Sequence, residues 1–399
     1  MFGKIGERIN AYRAPGECLA RMSLIHFADP VPNQYVQRGA YTAMTTTISL
    51  TRTSHPQPKP RDEELSFGRI FTDHMFLMEA VADQGWQNPR IVPYGPLTLD
   101  PSAAVFHYSQ ELFEGLKAYR SPRDTVLLFR PDMNAARLNR SAARLCMPPV
   151  DEEMFLTAIK TLVSLERDWV PRAPGTSLYI RPTMIATEPF LGVRPSQTYC
   201  FFIILSPVGA YYAEGFSPVK ILVEDRYVRA VKGGMGAAKT GGNYAASLAA
   251  GEEAHRRGFS QVLWLDGVER QYIEEVGSMN IAFVIDNELV TPPLTGTILE
   301  GVTRDTVLQL ARDWGMRVAE RPISISEVFT AARSGRLRET FGMGTAAVVS
   351  PVSELSYQGQ SVTISNGQVG PLAQRLFDEI SAIQRGLKPD PHGWVVEVD

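Results

Sequence analysis

Five glycines bracket one lysine in this chain. Gly233, Gly234 and Gly236 precede Lys239, and Gly241 and Gly242 follow it. Glycine lets the backbone approach a ligand closely and adopt positive φ. The stretch therefore reads as a turn built around a ligand, with a helix from about residue 244 to 257. A lysine in such a turn, beside Ala237 and Ala238, is partly desolvated. Desolvation lowers the amine pKa and frees its lone pair for attack on a carbonyl. Arg greatly outnumbers Lys here, and Arg cannot lose its proton, so a lysine is the residue type a Schiff base needs. The plain alternative is a solvated lysine on a glycine-rich surface loop. Lys232 is a rival nucleophile, but it lacks the downstream Asn-Tyr. A nucleotide loop is a third reading. Residues 233–240 match G-x-x-x-x-G-K-[ST] except at Ala238. Gly241 and Gly242 then stand where the loop's helix should start, at about 1 kcal/mol each.

The 399 residues suggest two or three domains with ample core. Apolar residues make up 44% and charged residues 21%, as in an ordinary soluble protein. A net charge of −3 argues against nucleic-acid binding. No apolar run reaches the roughly 18 residues of a membrane span. Cys18, Cys146 and Cys200 are scattered and odd in number, which fits a reducing, cytoplasmic setting without disulfides. The six histidines show no metal-ligand spacing, so no metal is expected.

Residues 1–64, with the Ser-His-Pro-Gln-Pro-Lys-Pro run at 54–60, read as a poorly ordered extension. It carries no signal-peptide core, and its acidic residues argue against a transit peptide. Met44 is a candidate true start. Strands are expected at 105–108, 116–119, 125–129, 178–182 and 199–205, and helices at 133–145 and 152–168. Residues 65–206 form the first domain, 207–217 the connector and 218–399 the second domain. The latter opens with a strand at 219–224. Hairpins are expected around Asp266-Gly267 and Asp286-Asn287. Helices follow at 303–314, 326–333 and 372–384, with a buried strand at 346–349. Strands come in runs rather than in βαβ alternation, so the fold class is α+β with two domains.

A Schiff-base lysine alone does not specify pyridoxal 5'-phosphate. That cofactor also needs a partner for its ring nitrogen, an anion site for its phosphate and a donor for its phenolate. Glu274-Glu275 precede Val-Gly-Ser-Met-Asn at 276–280, at a strand end. Gly301-Val302-Thr303 starts a helix, whose free N–H groups suit a phosphate. The Gly/Thr turn at 342–345 offers further amides. Each signal is weak alone, but all occur in one chain.

From about Phe67 to Trp394 the chain resembles the branched-chain amino-acid aminotransferases of fold type IV. The shared motifs are Phe-Thr-Asp-His-Met at 71–75, His-Tyr-Ser at 107–109 and Leu-Phe-Glu-Gly-Leu-Lys-Ala-Tyr-Arg at 112–120. Tyr-Ile-Arg-Pro at 179–182, Glu-Pro-Phe-Leu-Gly-Val at 188–193 and Lys-Thr-Gly-Gly-Asn-Tyr at 239–244 extend the match. Glu-Val-Gly-Ser-Met-Asn at 275–280, Gly-Val-Thr-Arg-Asp at 301–305 and Gly-Thr-Ala at 344–346 complete it.

The resemblance implies a small α/β domain, a larger pseudo-barrel domain and a homodimer with its site at the domain and subunit boundary. It implies that Lys239 is the Schiff-base lysine and moves the proton. Glu275 would partner the ring nitrogen, and Tyr244 the phenolic oxygen. Arg137, Val302, Thr303 and Thr345 would hold the phosphate, with Leu299 under the ring. Tyr108 and the backbone of Thr345 and Ala346 would hold the substrate carboxylate. Arg181 would reach glutamate's distal carboxylate, and Phe67, Phe113, Tyr179, Val193 and Tyr211 would wall the side-chain pocket. The implied reaction is ping-pong transamination between L-leucine, L-isoleucine or L-valine and 2-oxoglutarate, giving the branched 2-oxo acid and L-glutamate. A place in branched-chain amino-acid synthesis or breakdown follows. Mammalian members carry Cys-x-x-Cys after Gly-Thr-Ala; here residues 347–350 are Ala-Val-Val-Ser, so no thiol switch is expected. Two related activities compete, D-amino-acid aminotransfer and aminodeoxychorismate cleavage, as does an inactive binding module.

Overall fold

Continuous apolar runs of Val, Ile, Leu and Phe become central strands, and apolar residues at helical spacing become helices laid against them. The computed structural model describes residues 47–209 and 216–398. Its first half holds β1 (Ser49–Leu50), β2 (His74–Val81), β3 (Gly85–Pro93), α1 (Ala104–Tyr108), β4 (Glu111–Phe113), β5 (Leu116–Arg120), β6 (Val126–Phe129), α2 (Pro131–Arg144), α3 (Glu152–Leu165), β7 (Ser177–Ala186) and β8 (Thr198–Val208). The second half holds β9 (Val219–Glu224), α4 (Gly241–Ala245), α5 (Leu248–Arg256), β10 (Gln261–Leu265), β11 (Ile273–Val276), β12 (Asn280–Ile285), β13 (Glu288–Thr291), α6 (Val302–Asp313), β14 (Arg317–Glu320), α7 (Ile325–Arg333), β15 (Leu337–Gly344), β16 (Val348–Tyr357), β17 (Gln360–Thr363), α8 (Pro371–Gln384) and β18 (Val395–Val398).

Among the described residues the strands form two nine-stranded sheets. The first runs β1-β3-β2-β8-β7-β5-β6-β18, with β4 on β7. The second runs β11-β10-β9-β16-β15-β12-β13-β14, with β17 on β16. The chain's last strand thus returns to the first sheet, pairing antiparallel with β6. Helices α2 and α3 pack on the first sheet through Leu138, Phe155, Ile159 and Leu162. A further apolar cluster joins Phe129 of the first half to Phe341, Leu376 and Trp394 of the second. Mixed strands and helices in runs agree with the α+β expectation.

Several local expectations change. Residues 105–108 belong to helix α1, not a strand; of the helix only Ala104 is buried, and Val105 packs against a small apolar cluster on β2, β7 and β8. The helix expected at 244–257 is split into α4 and α5. It begins at Gly241, so the glycine argument against a helix start fails here. The Gly241 N–H donates to the Glu111 carboxylate, and a Cβ at Gly241 would lie 2.1 Å from Glu111 Oε1. The turn after β10 is longer than a two-residue hairpin. Asp266 accepts N–H bonds from Val268, Glu269, Gln271 and Tyr272, which closes a wide loop before β11. The second hairpin is tight, with Asp286 and Asn287 at φ 50° and 64°, the left-handed pair that such turns require. Residues 342–344 extend β15, and the turn lies at 345–347.

Part of the extension expected to be poorly ordered is placed. Residues 47–64 run along the first sheet: β1 pairs in parallel with β3. The Thr53 N–H donates to His74 Nε2 at 2.9 Å and the Gln57 N–H to Asp73 at 2.7 Å. Prolines along the segment fix its φ and lower the entropy lost on docking. Residues 1–46, and residues 210–215 of the connector, lie outside the described residues.

Helix α3 illustrates a local signal that survives into the fold. Asp151 precedes it, and its carboxylate accepts from the Met154 N–H at 2.9 Å. Asp151→Ala is expected to lower unfolding free energy by about 1 kcal/mol. Urea denaturation reads this; an unchanged midpoint and slope would show that the cap contributes nothing.

Candidate active site

The lysine loop is tied at both ends before any ligand is considered. The Lys239 N–H donates to Ser141 Oγ at 2.9 Å, and its carbonyl accepts from the Phe113 N–H at 3.0 Å. Thr240 Oγ1 donates to the Glu111 carbonyl at 2.7 Å. Asn243 donates to the carbonyls of Met235 and Ala238 at 2.8 and 2.9 Å, closing the loop on itself. Gly236 is required because a Cβ there would lie 2.3 Å from the Thr297 carbonyl oxygen. These bonds place a half-buried Lys239 in a cavity of about 440 Å³. Its Nζ lies 2.8 Å from the Tyr244 hydroxyl and 4.8 Å from the Phe113 ring centroid. Lys232 is exposed and does not line this cavity.

The cavity also holds a carboxylate sealed from water. Glu275, on β11, is 2% exposed. Its Oε1 accepts from the Leu299 N–H at 3.0 Å and from Asn280 Nδ2 at 3.1 Å. Its Oε2 lies 2.6 Å from Arg229 Nε. Burial pushes the Glu275 carboxyl up, against the pull of Arg229. Arg229 also donates to the Gly236 and Thr297 carbonyls at 3.3 and 2.9 Å, so one guanidinium links the lysine loop to the carboxylate.

An anion-binding corner completes the arrangement. Helix α6 begins at Val302 and Thr303, which line the cavity, and no side chain caps it. Its first-turn N–H groups therefore have no intrahelical acceptor and carry the positive end of the helix dipole. Asn280 Oδ1 would lie 2.0 Å from a Cβ at Gly301, which keeps that entry bare. Arg137, on α2, reaches the same corner and donates to the Glu300 carbonyl at 2.9 Å. It is held there by Glu114 through two bonds of 2.7 and 2.8 Å. Burial alone would raise the Glu114 carboxyl and lower the Arg137 guanidinium; their mutual attraction outweighs it and shifts each the other way.

The structure brings together thirteen of the sixteen residues singled out from the sequence. Lys239, Tyr244, Glu275, Arg137, Leu299, Val302, Thr303, Thr345, Ala346, Phe67, Phe113, Tyr179 and Arg181 all line the cavity. Tyr179 and Phe67 meet edge to face at 5.0 Å. Arg181 lies 4.6 Å over the Phe113 ring and donates to the Tyr179 hydroxyl at 3.0 Å. Tyr108 and Val193 are elsewhere. They are exposed at the outer end of the first sheet, with the Tyr108 hydroxyl donating to the Leu191 carbonyl. Tyr211 lies outside the described residues.

Sequence reasoning missed the residues behind the front rank. Glu114, Arg229, Asn280 and Ser141 each hold a predicted site residue in place. Glu114 left a signal: a carboxylate between Phe113 and Gly115, next to an apolar strand, must find a cation if buried.

The profile of the family described as "Amino-transferase class IV" matches residues 111–355. Branched-chain-amino-acid aminotransferase 2 of Bacillus subtilis (strain 168) is 58% identical over 357 residues, 90% of this chain and 98% of that protein. Branched-chain-amino-acid transaminase 1 of the same strain is 56% identical over 356 residues, 89% of this chain and all of that protein. The crystal structure of the Escherichia coli branched-chain amino acid aminotransferase superposes with a TM-score of 0.70 at 27% identity, covering 82% of this chain and 99% of that one. The branched-chain aminotransferase of the thermophilic archaeon Thermoproteus uzoniensis, solved with norvaline, gives 0.65 at 26% identity, over 81% of this chain and all of that one. A lysine loop, a buried carboxylate and a bare helix start on one cavity thus sit in a chain that belongs to the class IV aminotransferases, among the branched-chain-amino-acid aminotransferases.

Proposed function

We propose that the chain transfers the amino group of L-leucine, L-isoleucine or L-valine to 2-oxoglutarate by a ping-pong reaction, with pyridoxal 5'-phosphate as its cofactor. The observation that carries this reading is the convergence of Lys239, Glu275 and the uncapped start of α6 on one cavity. These residues fit the cofactor: an amine for its aldehyde, a buried carboxylate for its ring nitrogen, and N–H groups with Arg137 for its phosphate. When bound, the cofactor supplies an electron sink for the charge that develops at the substrate Cα.

The chain's own residues do the rest. Lys239 Nζ would take the proton from the substrate Cα and return it at the cofactor carbon across the amino nitrogen; in the second half it would run the transfer backwards. The Tyr244 hydroxyl, 2.8 Å away, orients Nζ and donates to the cofactor's phenolic oxygen. Arg229, Asn280 and the Leu299 N–H fix the Glu275 carboxylate. Thr345 and Ala346 would bind the substrate carboxylate through their backbone, and Leu299, which lines the same cavity, would support the cofactor ring. Phe67, Phe113 and Tyr179 bury an aliphatic side chain at about 25 cal/mol per Å². Arg181 serves the second substrate: its Nε is buried and unpartnered among the described residues, a donor for the distal carboxylate of 2-oxoglutarate or glutamate.

The active form is a homodimer. Tyr108 and Val193, which the resemblance assigns to the pocket, lie outside it in one chain and are exposed, beside Phe106 and Leu191, with Val193 at 87%. An apolar patch of this kind marks an interface, and a second copy would receive it at the mouth of the cavity. Val193→Asp is expected to weaken the dimer at least about tenfold, since it buries an unpaired charge, and to lower kcat/KM for L-leucine in parallel. Sedimentation equilibrium reads the first effect. An unchanged dimer constant with full activity would place the interface elsewhere.

No helix among the described residues is long and apolar enough to cross a membrane, and the reaction's substrates are those of the cytoplasm, where we place the enzyme. The reading is tested by a substrate panel on the cofactor-loaded protein. Turnover of L-leucine, L-isoleucine and L-valine with 2-oxoglutarate, and not of D-alanine or aminodeoxychorismate, is expected. Turnover of D-alanine without L-leucine would assign the site to a related activity.

A further inference from the structure

A second cavity, of about 750 Å³, shares Ala346 with the first and is used by nothing described so far. Two cations line it, Lys117 buried and Arg385 half-buried. Lys117, on β5, is 8% exposed and donates to the Ala346 carbonyl at 2.7 Å. Arg385, just beyond α8, donates to the Thr176 carbonyl and lies 5.9 Å from the Tyr119 ring centroid. Neither forms an ion pair among the described residues. Burial and the neighbouring Arg385 charge push the Lys117 ammonium down to about 8, and burial lowers Arg385 as well. The other charges at the cavity do not offset this pair. Arg120 and Arg172 are both committed to Asp124. Asp378 stands at the solvent edge, where it accepts from Gln374.

Two hydroxyls add to the imbalance. Ser177 Oγ and Ser350 Oγ line the same cavity, and both are buried without a hydrogen-bond partner among the described residues. Unpaired buried hydroxyls and uncompensated buried cations are each unfavourable. The remaining wall is apolar: Phe216 and Phe377 stack at 4.0 Å, beside Val348 and Leu387. Two cations, two free hydroxyls and a pair of stacked rings on one cavity match an occupant with an acidic head and an apolar body.

We propose that this cavity is a regulatory site for a small aliphatic carboxylate, its head between Lys117 and Arg385 and its chain against Phe216 and Phe377. The Ser177 and Ser350 hydroxyls are further donors to the head. The site is coupled to the active-site cavity through Lys117. That residue pairs with Tyr179 across β5 and β7, and its ammonium holds the Ala346 carbonyl. A carboxylate that draws the ammonium away from Ala346 loosens the turn at 345–347. Occupancy then weakens substrate binding, and substrate weakens occupancy by the same factor.

Sodium octanoate is the probe. Calorimetry on the cofactor-loaded enzyme should find two saturable octanoate sites per chain, one displaced by competition at the active site and one not. Initial rates with L-leucine should show mixed inhibition. Arg385→Met, which touches neither Ala346 nor the active-site cavity, should weaken the second site about tenfold or more, the loss of a charge-assisted bond. Its inhibition should become purely competitive, while the uninhibited rate is kept. Ser350→Ala should weaken the site less. A single site with purely competitive inhibition in the unaltered enzyme overturns the proposal. So does a second site whose affinity survives both Arg385→Met and Lys117→Met, and so does uptake that never saturates. The calorimetric readout does not depend on turnover, so failure here is distinguishable from failure of the transaminase reading.

Discussion

Lys239→Ala is expected to abolish amino-group transfer while leaving the fold intact. The side chain is half-buried, and its loop is held by backbone contacts to Ser141 and Phe113 that alanine preserves. Unfolding free energy should therefore change little. The rate should fall by at least the roughly 10²–10⁴-fold that a positioned acid–base group contributes, with a further loss because the same amine is the cofactor's anchor. Rapid-mixing measurement of the half-reaction with L-leucine reads the chemical step by itself. Exogenous methylamine should restore part of the rate, because it replaces the missing amine and no other feature of the site. A variant that kept more than about a tenth of the rate would remove Lys239 from the proton transfer.

Glu114→Ala is expected to be the most destabilising change near the site. Glu114 is fully buried, with both oxygens on Arg137 and one also on Asn134 at 2.7 Å. Removing it strands the Arg137 charge, at about 3–5 kcal/mol. The double replacement Glu114→Met with Arg137→Met should recover most of that stability, since an apolar pair of similar volume replaces the ions. It should still bind the cofactor weakly, because the phosphate loses its guanidinium. The pH dependence has a defined sign. The folded-state pKa of Glu114 lies below its ordinary value. Its contribution is therefore complete above the unfolded pKa of about 4.3 and is lost as pH falls through the lower folded value. Urea titrations at two pH values test both statements; a Glu114→Ala variant as stable as its parent at neutral pH would contradict them.

The motif-bearing residues were legible in the sequence, because glycine, lysine and carboxylate at those positions have few other uses together. The cavity gathers them from β4, β7, α2, the lysine loop, β11, the start of α6 and the turn before β16, and the resemblance anticipated that convergence. Three kinds of feature were not legible. The supports, Glu114 and Arg229, act through a second residue, so their role exists only once the fold places that residue. Strands β2 and β3 begin close after a proline-rich segment, and their edge contacts, not their propensity, order the residues before them. Helix α1 has the β-branched and aromatic composition of a strand. It lies outside the sheet, and tertiary placement overrides propensity. Tyr108 and Val193 show a different limit. Motif matching names residues of a site without fixing where the fold of one chain leaves them.

The proposed reaction begins with removal of the amino group from an L-branched amino acid. Its most direct test is the half-reaction: cofactor-loaded enzyme mixed with L-leucine and no 2-oxo acid, followed by absorbance and by chemical assay. Loss of the visible cofactor band is expected, with release of one equivalent of the branched 2-oxo acid per site, and return of the band on adding 2-oxoglutarate. A band unmoved by L-leucine, with no 2-oxo acid released, would contradict it.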